Sequence, residues 1–291
     1  MANNTNPLAG HFRSPKLYTQ LPSKGKFYNS DVIDMPETGE LPVYPMTAKD
    51  ELMLKNPDAL LNGEAISTVI GSCIPKIKQP RKLLSNDIDA LLIAIQGATF
   101  GDDMDVSSAC DKCEETITEK ISVEGALSTM STLDEAYQFN TDTGLLIDVR
   151  PFSYETSVKA GVANFRSERS LQSIANIDDE IERISAFNSN FIELSQLNFD
   201  IMVDSVASIT IPAEDKDSED IIVSDSKNIR EFLENCESAV GKQIEEFISE
   251  IANIGVNKEV LMRCEKCGTE EEPYEFQALV NFNPVNFFTA S

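Results

Sequence analysis

Four of the six cysteines form two Cys-x-x-Cys motifs, and these residues have the clearest capacity for chemistry. The motifs are Cys110-Asp111-Lys112-Cys113 and Cys264-Glu265-Lys266-Cys267, which stand far apart in the chain. Each motif can place two sulfurs on one side of a tight turn, and two such turns facing each other complete a tetrahedral four-thiolate zinc site. Gly268 follows the second motif, as a tight turn often requires. We therefore predict one structural Zn²⁺ bound by Cys110, Cys113, Cys264 and Cys267.

Other uses of paired cysteines are redox dithiols, iron–sulfur ligation and turns without a metal. A thioredoxin-type Cys-x-x-Cys opens a helix after a strand, whereas both motifs here lead into strand patterns. Four thiolates also suit an iron–sulfur cluster, but no other feature of the sequence indicates electron transfer. A closed four-thiolate zinc site has no open position for water or substrate. The predicted metal therefore indicates a structural role.

The remaining candidate catalytic groups do not form a recognisable site. His11 is the single histidine and lies in a polar segment, so a nucleophile has no base to form a triad. Cys73 and Cys236 lie on apolar helical faces, where buried thiols are usually inert. The acidic runs at 214–217 and 270–272 are typical of solvated turns. We predict that the chain is not an enzyme and binds no small-molecule substrate.

The charge balance limits the classes of partner. The 291 residues include 24 Lys and Arg against 49 Asp and Glu, a formal net charge of −25. Such a chain repels phosphate backbones and anionic lipid surfaces, so we expect neither nucleic acid nor a membrane as partner. The first residues lack the pattern of a signal peptide, and no segment offers the roughly 18 apolar residues of a membrane span. We expect synthesis in the cytoplasm.

The sequence before residue 39 predicts an extended N-terminal arm over 1–38, because turn residues interrupt every hydrophobic period. Its local basic character suits docking to an acidic face of another subunit, and folding back on its own chain is the alternative. We prefer a partner, because a segment with so few apolar residues cannot bury itself well. The candidate partner-binding residues are Arg13, Lys16, Lys24, Lys26, Phe27 and Tyr28.

The elements that must position the cysteines are of mixed type. Thr47 and Asp50 have the spacing of a capping box, and Asn86 is the expected cap of an apolar helix over 87–100. Residues after each Cys-x-x-Cys motif alternate as strands, at 116–123 and at 274–282. A long helical region follows residue 153, and its amphipathic stripe consists of Ile181, Ile184, Phe187, Phe191, Leu194, Leu197, Ile201 and Ser205.

These patterns predict an α+β fold, in which a mixed domain with a small zinc-ribbon-like β element carries an inserted helical region. The predicted mixed domain is 39–152 together with 256–291, and the predicted helical insertion is 153–255. The zinc would join the two parts of the mixed domain on either side of the insertion.

The N-terminal third also resembles a known family. The matching stretches, in order, are Leu21–Tyr28, Val43–Glu51, Pro57–Gly63 and Asp87–Leu92, followed by the first Cys-x-x-Cys motif. They resemble the baseplate hub and hub-assembly proteins of T-even-like contractile-tailed bacteriophages. Beyond residue 115 the likeness rests on the second Cys-x-x-Cys motif and the aromatic pair Phe287-Phe288.

The resemblance implies a non-enzymatic part in building the hub of the tail baseplate. It implies other phage hub proteins as partners, with tape-measure or tube-initiator proteins as further candidates. Such a protein would be in the host cytoplasm during assembly and then in the virion tail baseplate. The alternative is an assembly chaperone absent from the mature virion. A zinc-ribbon nucleic-acid-binding protein is a remote alternative, because the net charge of −25 opposes it.

Overall fold

A computed structural model describes residues 8, 11–213, 219–269 and 272–279. The predicted extension of the last strand to residue 282, the pair Phe287-Phe288 and most of both acidic runs lie outside these residues. The described elements of the first half are β1 Leu17–Thr19, β2 Leu41–Val43, α1 Ala48–Leu54, α2 Pro57–Leu61, α3 Glu64–Cys73, α4 Ser85–Phe100, β3 Asp103–Ala109, β4 Thr116–Ser122, α5 Val123–Ser128, β5 Tyr137–Asn140 and β6 Leu146–Val149. Those of the second half are α6 Tyr154–Ile174, α7 Glu180–Ser205, β7 Val206–Ile211, β8 Ile221–Val223, α8 Ser226–Asn235, α9 Ser238–Ala252, β9 Glu259–Cys264 and β10 Tyr274–Leu279.

This content confirms the predicted α+β class, and the chain divides into two compact units. The first unit comprises Met1–Pro80, Asp87–Thr132 and Gly255–Ser291, and the second comprises Arg81–Asn86 and Leu133–Ile254. The predicted insertion begins at 153, whereas the second unit also includes 133–152. The reason is sheet pairing, because β6 is hydrogen-bonded to β7, and β7 lies within the predicted insertion.

The core of the first unit is built around α4. This helix is apolar on nearly all sides, and Leu91, Ile93 and Ile95 are fully buried. Thr47 caps helix α1, because its side chain accepts from the backbone N–H of Asp50 while the Asp50 carboxylate accepts from the backbone N–H of Thr47. The predicted capping box is therefore confirmed. It satisfies two backbone donors that a helix N-terminus would otherwise leave without a partner.

The described part of the N-terminal segment is packed against the rest of the first unit. Strand β1 pairs antiparallel with β2, with Leu17 opposite Val43. Leu21, Val32 and Ile33 are buried. In the structure these residues fold back on their own chain, which was the alternative to docking on a partner. A few buried apolar side chains and one short strand hold this otherwise polar segment against the first unit.

The second unit combines a four-stranded sheet with four helices, among the residues described. The sheet is antiparallel in the order β5-β6-β7-β8. Phe247 of α9 lies edge-on to Phe139 of β5, with ring centroids 5.2 Å apart. Ile147 and Ile244 are fully buried in this unit. No helix among the described residues combines the length and the apolar content of a membrane span.

One predicted helix cap has a different role. We expected Asn86 to cap a helix over 87–100, but α4 begins at Ser85. The Asn86 amide instead donates to the carbonyl oxygens of Ile251 and Ile254 at 2.8 and 2.9 Å. These carbonyls stand at the end of α9, where the last turn of a helix has no partners of its own. Asn86 thus satisfies a neighbouring helix end within the second unit.

Candidate metal centre

Each Cys-x-x-Cys motif is the turn of a β-hairpin. The first hairpin joins β3 to β4, and the backbone N–H of Cys110 donates to the carbonyl of Glu115 at 2.8 Å across its turn. Glu114 takes the left-handed conformation there, with φ of 59°. The second hairpin joins β9 to β10, and Cys264 stands directly opposite Tyr274. In both hairpins the strand pairing ends at or directly before the first cysteine of the motif.

The structure brings the four cysteine sulfurs of the two hairpins together. The Sγ atoms of Cys110 and Cys267 are 3.9 Å apart, and those of Cys113 and Cys264 are 3.7 Å apart. All four lie within 4.8 Å of one another. A tetrahedron with Zn–S bonds of about 2.3 Å has S···S edges of about 3.8 Å, whereas a disulfide requires about 2.05 Å. The sulfurs therefore fit the coordination of one metal ion, and all six cysteines of the chain are free thiols.

The local electrostatics distinguish the four thiols. Burial has the largest single effect and raises the pKa of Cys110, but hydrogen bonds from the backbone N–H groups of Lys112 and Cys113 and with the side chains of Cys264 and Cys113 together leave the pKa lowered. The neighbouring Cys113 side chain and burial raise the pKa of Cys267 to about 12. Mutual repulsion thus opposes four thiolates at this spacing. A divalent cation would offset the repulsion, since a thiol that coordinates a metal is deprotonated outright.

Polar contacts brace the two hairpins beside the cysteines. Lys266 Nζ lies 2.6 Å from Glu115 Oε2, and the Tyr274 hydroxyl donates to Asp111 at 3.1 Å. The ammonium group of Lys112 lies 3.3 Å from the centroid of the Tyr274 ring. These groups are largely exposed, and an exposed ion pair contributes little to stability. The contacts orient the hairpins, but a bound ion would be the stronger link.

The four cysteines lie next to a cluster of buried apolar side chains. Met104 and Val106 of the first hairpin pack with Met262 and Phe276 of the second and with Ile93 of α4. Cys110 and Cys264 are buried within this cluster, whereas Cys113 and Cys267 are only half-buried. Alternation along the strands explains the arrangement, because every second side chain points to the covered face. The two hairpins and α4 therefore hold the thiols in a fixed position.

Gly268 has a measurable role in the second turn. A Cβ at this position would lie 2.6 Å from the Tyr274 backbone nitrogen and would also overlap the carbonyl oxygen of Glu272. Both obstacles are backbone atoms, so the turn itself would have to shift. We expect Gly268→Ala to lower the free energy of unfolding by about 2 kcal/mol and to weaken metal retention. Urea unfolding and metal analysis of the purified variant measure both effects.

Gly241→Ala is the matched control for this substitution. A Cβ at Gly241 meets nothing within 4 Å, and the residue lies inside α9. This change is expected to be neutral or to stabilise by about 0.5–1 kcal/mol, since alanine is the better helix former. Equal effects of the two substitutions would refute the steric role of Gly268.

A second polar site was missed by the sequence analysis. Asp87 is fully buried, and its carboxylate accepts from the backbone N–H and hydroxyl of Ser23 at 2.9 and 2.6 Å. The hydroxyl of Tyr28 donates to the same carboxylate. Burial raises the pKa of Asp87, and the three donors only partly offset it. This set, the Asp87 clamp, ties the N-terminal segment to α4.

The candidate partner-binding residues have different surroundings. Tyr28 belongs to the Asp87 clamp, and the Arg13 guanidinium donates to the carbonyl oxygens of Pro45 and Ser72, each at 2.7 Å. Phe27 is half-buried. Of the six candidate residues, Lys16, Lys24 and Lys26 have exposed side chains. Arg13, Lys26 and Tyr28 thus make contacts within the chain, and the side chains of Lys16, Lys24 and Lys26 are exposed.

The comparison with protein families completes this description. The family described as T4 bacteriophage base plate protein matches residues 15–282. The matched range includes both hairpins and the Asp87 clamp. No curated protein and no solved structure matches the chain. The match confirms the predicted kinship with baseplate proteins of T4-like phages, and the chain belongs to the T4 bacteriophage base plate protein family.

Proposed function

We propose that this chain is a non-enzymatic building or assembly protein of the baseplate hub, acting through contacts with other baseplate proteins. The observation that carries the proposal is the family match over residues 15–282. The hub location rests on the ordered stretches between residues 21 and 113 that resemble hub and hub-assembly proteins. Other hub proteins are the proposed partners, with tape-measure and tube-initiator proteins as further candidates.

We propose Zn²⁺ as the ion of the four-cysteine centre. Soft thiolate donors in a tetrahedral set select zinc or iron–sulfur clusters among the common metals. Cys110, Cys113, Cys264 and Cys267 would hold the ion, and it would supply a cross-link between two hairpins that are distant in sequence. A closed set of four sulfurs suits a structural ion. The role of the metal in this proposal is therefore rigidity.

The N-terminal segment is the proposed contact with an acidic partner surface. Lys16, Lys24 and Lys26 would supply the charge, while Arg13, Phe27 and Tyr28 would keep the segment in place on the first unit. Complementary charge at an interface raises the association rate and selects the partner more than it raises affinity. This contact is proposed for the virion baseplate and for its assembly in the host cytoplasm.

An assembly chaperone that leaves before the virion is complete is the second candidate. The observation that favours it is the set of large apolar side chains exposed on α7, including Ile181 and Phe191. Surfaces of this kind serve transient as well as permanent contacts. A nucleic-acid-binding zinc ribbon is disfavoured by the charge of −25, and tight, salt-sensitive DNA binding in a filter assay would revive it.

Quantitative mass spectrometry of purified phage particles tests the hub proposal. A hub subunit is expected at a fixed copy number relative to known tail proteins, and it should remain after the tails are washed in high salt. Presence in assembly intermediates together with loss from finished particles would favour the chaperone. Absence from both intermediates and particles would refute both forms of the proposal.

A further inference from the structure

One side of the first half of α7 carries large apolar side chains that the described chain does not cover. Their exposed fractions are 81% for Ile181, 53% for Ile184, 52% for Phe187, 63% for Phe191 and 66% for Ile192. At 100° per residue these five positions lie within an arc of about 140°. We call this set the α7 stripe. A contiguous apolar patch on a soluble protein usually marks an interaction site.

The α7 stripe is not the side of the helix that packs on its neighbour. Asn190 of α7 donates to the hydroxyl of Ser167 of α6 at 2.9 Å, which identifies the α6 side. Leu194 and Leu197 lie on that side and are half-buried. The centre of the stripe is roughly 120° away around the helix. Helix α7 therefore has two apolar faces, one packed on α6 and one open.

Acidic side chains surround the beginning of the stripe. Asp178, Asp179, Glu180 and Glu182 are all exposed, and Asp179 caps α7 by accepting from the backbone N–H of Glu182. Among the described residues, the ion pairs within 4 Å include none of these four carboxylates. The apolar stripe thus begins in a region of concentrated negative charge.

This charge argues against a second copy of the chain as the occupant. A two-fold contact places the same patch on both sides. If two α7 helices overlaid their stripes in parallel register, the acidic residues at the start of each helix would meet those of the other copy. The net charge of −25 on each chain adds repulsion. The electrostatics instead fit an apolar surface flanked by Lys and Arg.

We propose that the α7 stripe docks an amphipathic helix of another protein, whose apolar face is flanked by basic residues. The incoming helix would pack as a third helix on the α6–α7 pair, with its apolar side chains on Ile181, Ile184 and Phe187. Its Lys and Arg side chains would meet the carboxylates at 178–182. This inference rests on the proposed function, and it states the chemistry of one partner in the assembly.

The test uses the purified full-length chain and two synthetic helical peptides. One has leucine at every a and d position of three heptads and lysine at the flanking positions, and the other has glutamate in place of lysine. Fluorescence anisotropy measures both affinities at low and high salt. The lysine peptide is expected to bind at least about tenfold more tightly, with a preference that declines as salt rises.

Two pairs of variants locate the binding. The double variant Ile181→Ser with Ile184→Ser should bind the lysine peptide at least about tenfold more weakly, since two apolar contacts are lost. The matched control, Leu52→Ser with Ile222→Ser, removes equally exposed side chains elsewhere and should change affinity less than about twofold.

Glu180→Lys with Glu182→Lys should reverse the peptide preference. Glu245→Lys with Glu246→Lys, on α9, makes the same change in net charge and should not reverse it.

Several results would overturn the inference. Failure of the lysine peptide to bind, or equal effects of the two charge-reversal pairs, would remove the proposed recognition. If sedimentation showed that the chain self-associates, and the double variant Ile181→Ser with Ile184→Ser abolished this self-association, the α7 stripe would be assigned to a second copy of the chain. Tighter peptide binding after deletion of residues 280–291 would assign it to the chain's own C-terminal segment. These results are independent of particle composition, which tests the proposed function separately.

Discussion

Replacing Cys264 by serine is expected to lower the free energy of unfolding of the first unit by more than about 4 kcal/mol. Loss of a structural metal belongs to the few changes with effects of this size. Zinc binding by short cysteine-rich peptides has an apparent free energy of about 10–16 kcal/mol, and in a folded protein that energy stabilises the native state. Serine does not replace a thiolate ligand, so the ion should be lost. Urea unfolding with metal analysis measures the effect.

A double-substitution cycle shows whether the two motifs share one ion. Cys110→Ser and Cys264→Ser should each destabilise strongly, and the double variant should cost little more than either alone, because the first change already removes the site. A strong chelator should lower the melting temperature of the parent chain but not that of the variants. Cys236→Ser is the control, since this half-buried thiol lies outside the cluster and should change stability by less than about 1 kcal/mol. Additive losses from Cys110→Ser and Cys264→Ser would contradict a shared site.

Replacing Asp87 by alanine is expected to destabilise the first unit by about 3 kcal/mol. The substitution leaves the buried N–H and hydroxyl of Ser23 and the hydroxyl of Tyr28 without their acceptor, and unsatisfied buried donors carry the full cost of desolvation. Tyr28→Phe removes only one donor and should cost about 1 kcal/mol. Urea unfolding of both variants, with limited proteolysis of the N-terminal segment, measures the effect.

The pH dependence gives an independent check of the Asp87 clamp. Asp87→Asn should cost less than Asp87→Ala, because the two hydroxyl groups can rotate to accept from the amide. Burial raises the pKa of Asp87, so the folded state holds its proton above the ordinary value of about 3.9. The parent chain therefore loses stability relative to Asp87→Asn as the pH rises from that value through the raised pKa. If the parent chain instead gained stability relative to Asp87→Asn over this pH range, the result would contradict the role assigned to burial.

Local patterns predicted the elements around the metal centre well. The capping box at Thr47 and the strands after each Cys-x-x-Cys motif depend on residues close in sequence, and the structure has them. Strand β3 escaped prediction because only Met104 and Val106 mark its covered face. The sequence therefore indicated the strand after the first motif but not the hairpin that it completes.

Long-range contacts were beyond the reach of sequence patterns. Asp87 reads as an ordinary first-turn acid of α4, and its role depends on Ser23 and Tyr28, which lie 64 and 59 residues away. The periodicity of α7 likewise showed that an apolar stripe exists, but it did not show which part α6 covers. Coverage depends on the neighbouring helix, and the described chain leaves the five side chains of the α7 stripe more than half exposed.

The shared four-thiolate centre is the central claim, and X-ray absorption at the zinc edge of the purified full-length chain tests it most directly. The account predicts one zinc per chain, surrounded by four sulfurs at about 2.3 Å. Native protein that contains no zinc and whose four motif thiols all react freely with a thiol reagent would contradict it, and so would nitrogen or oxygen ligands in the first coordination sphere.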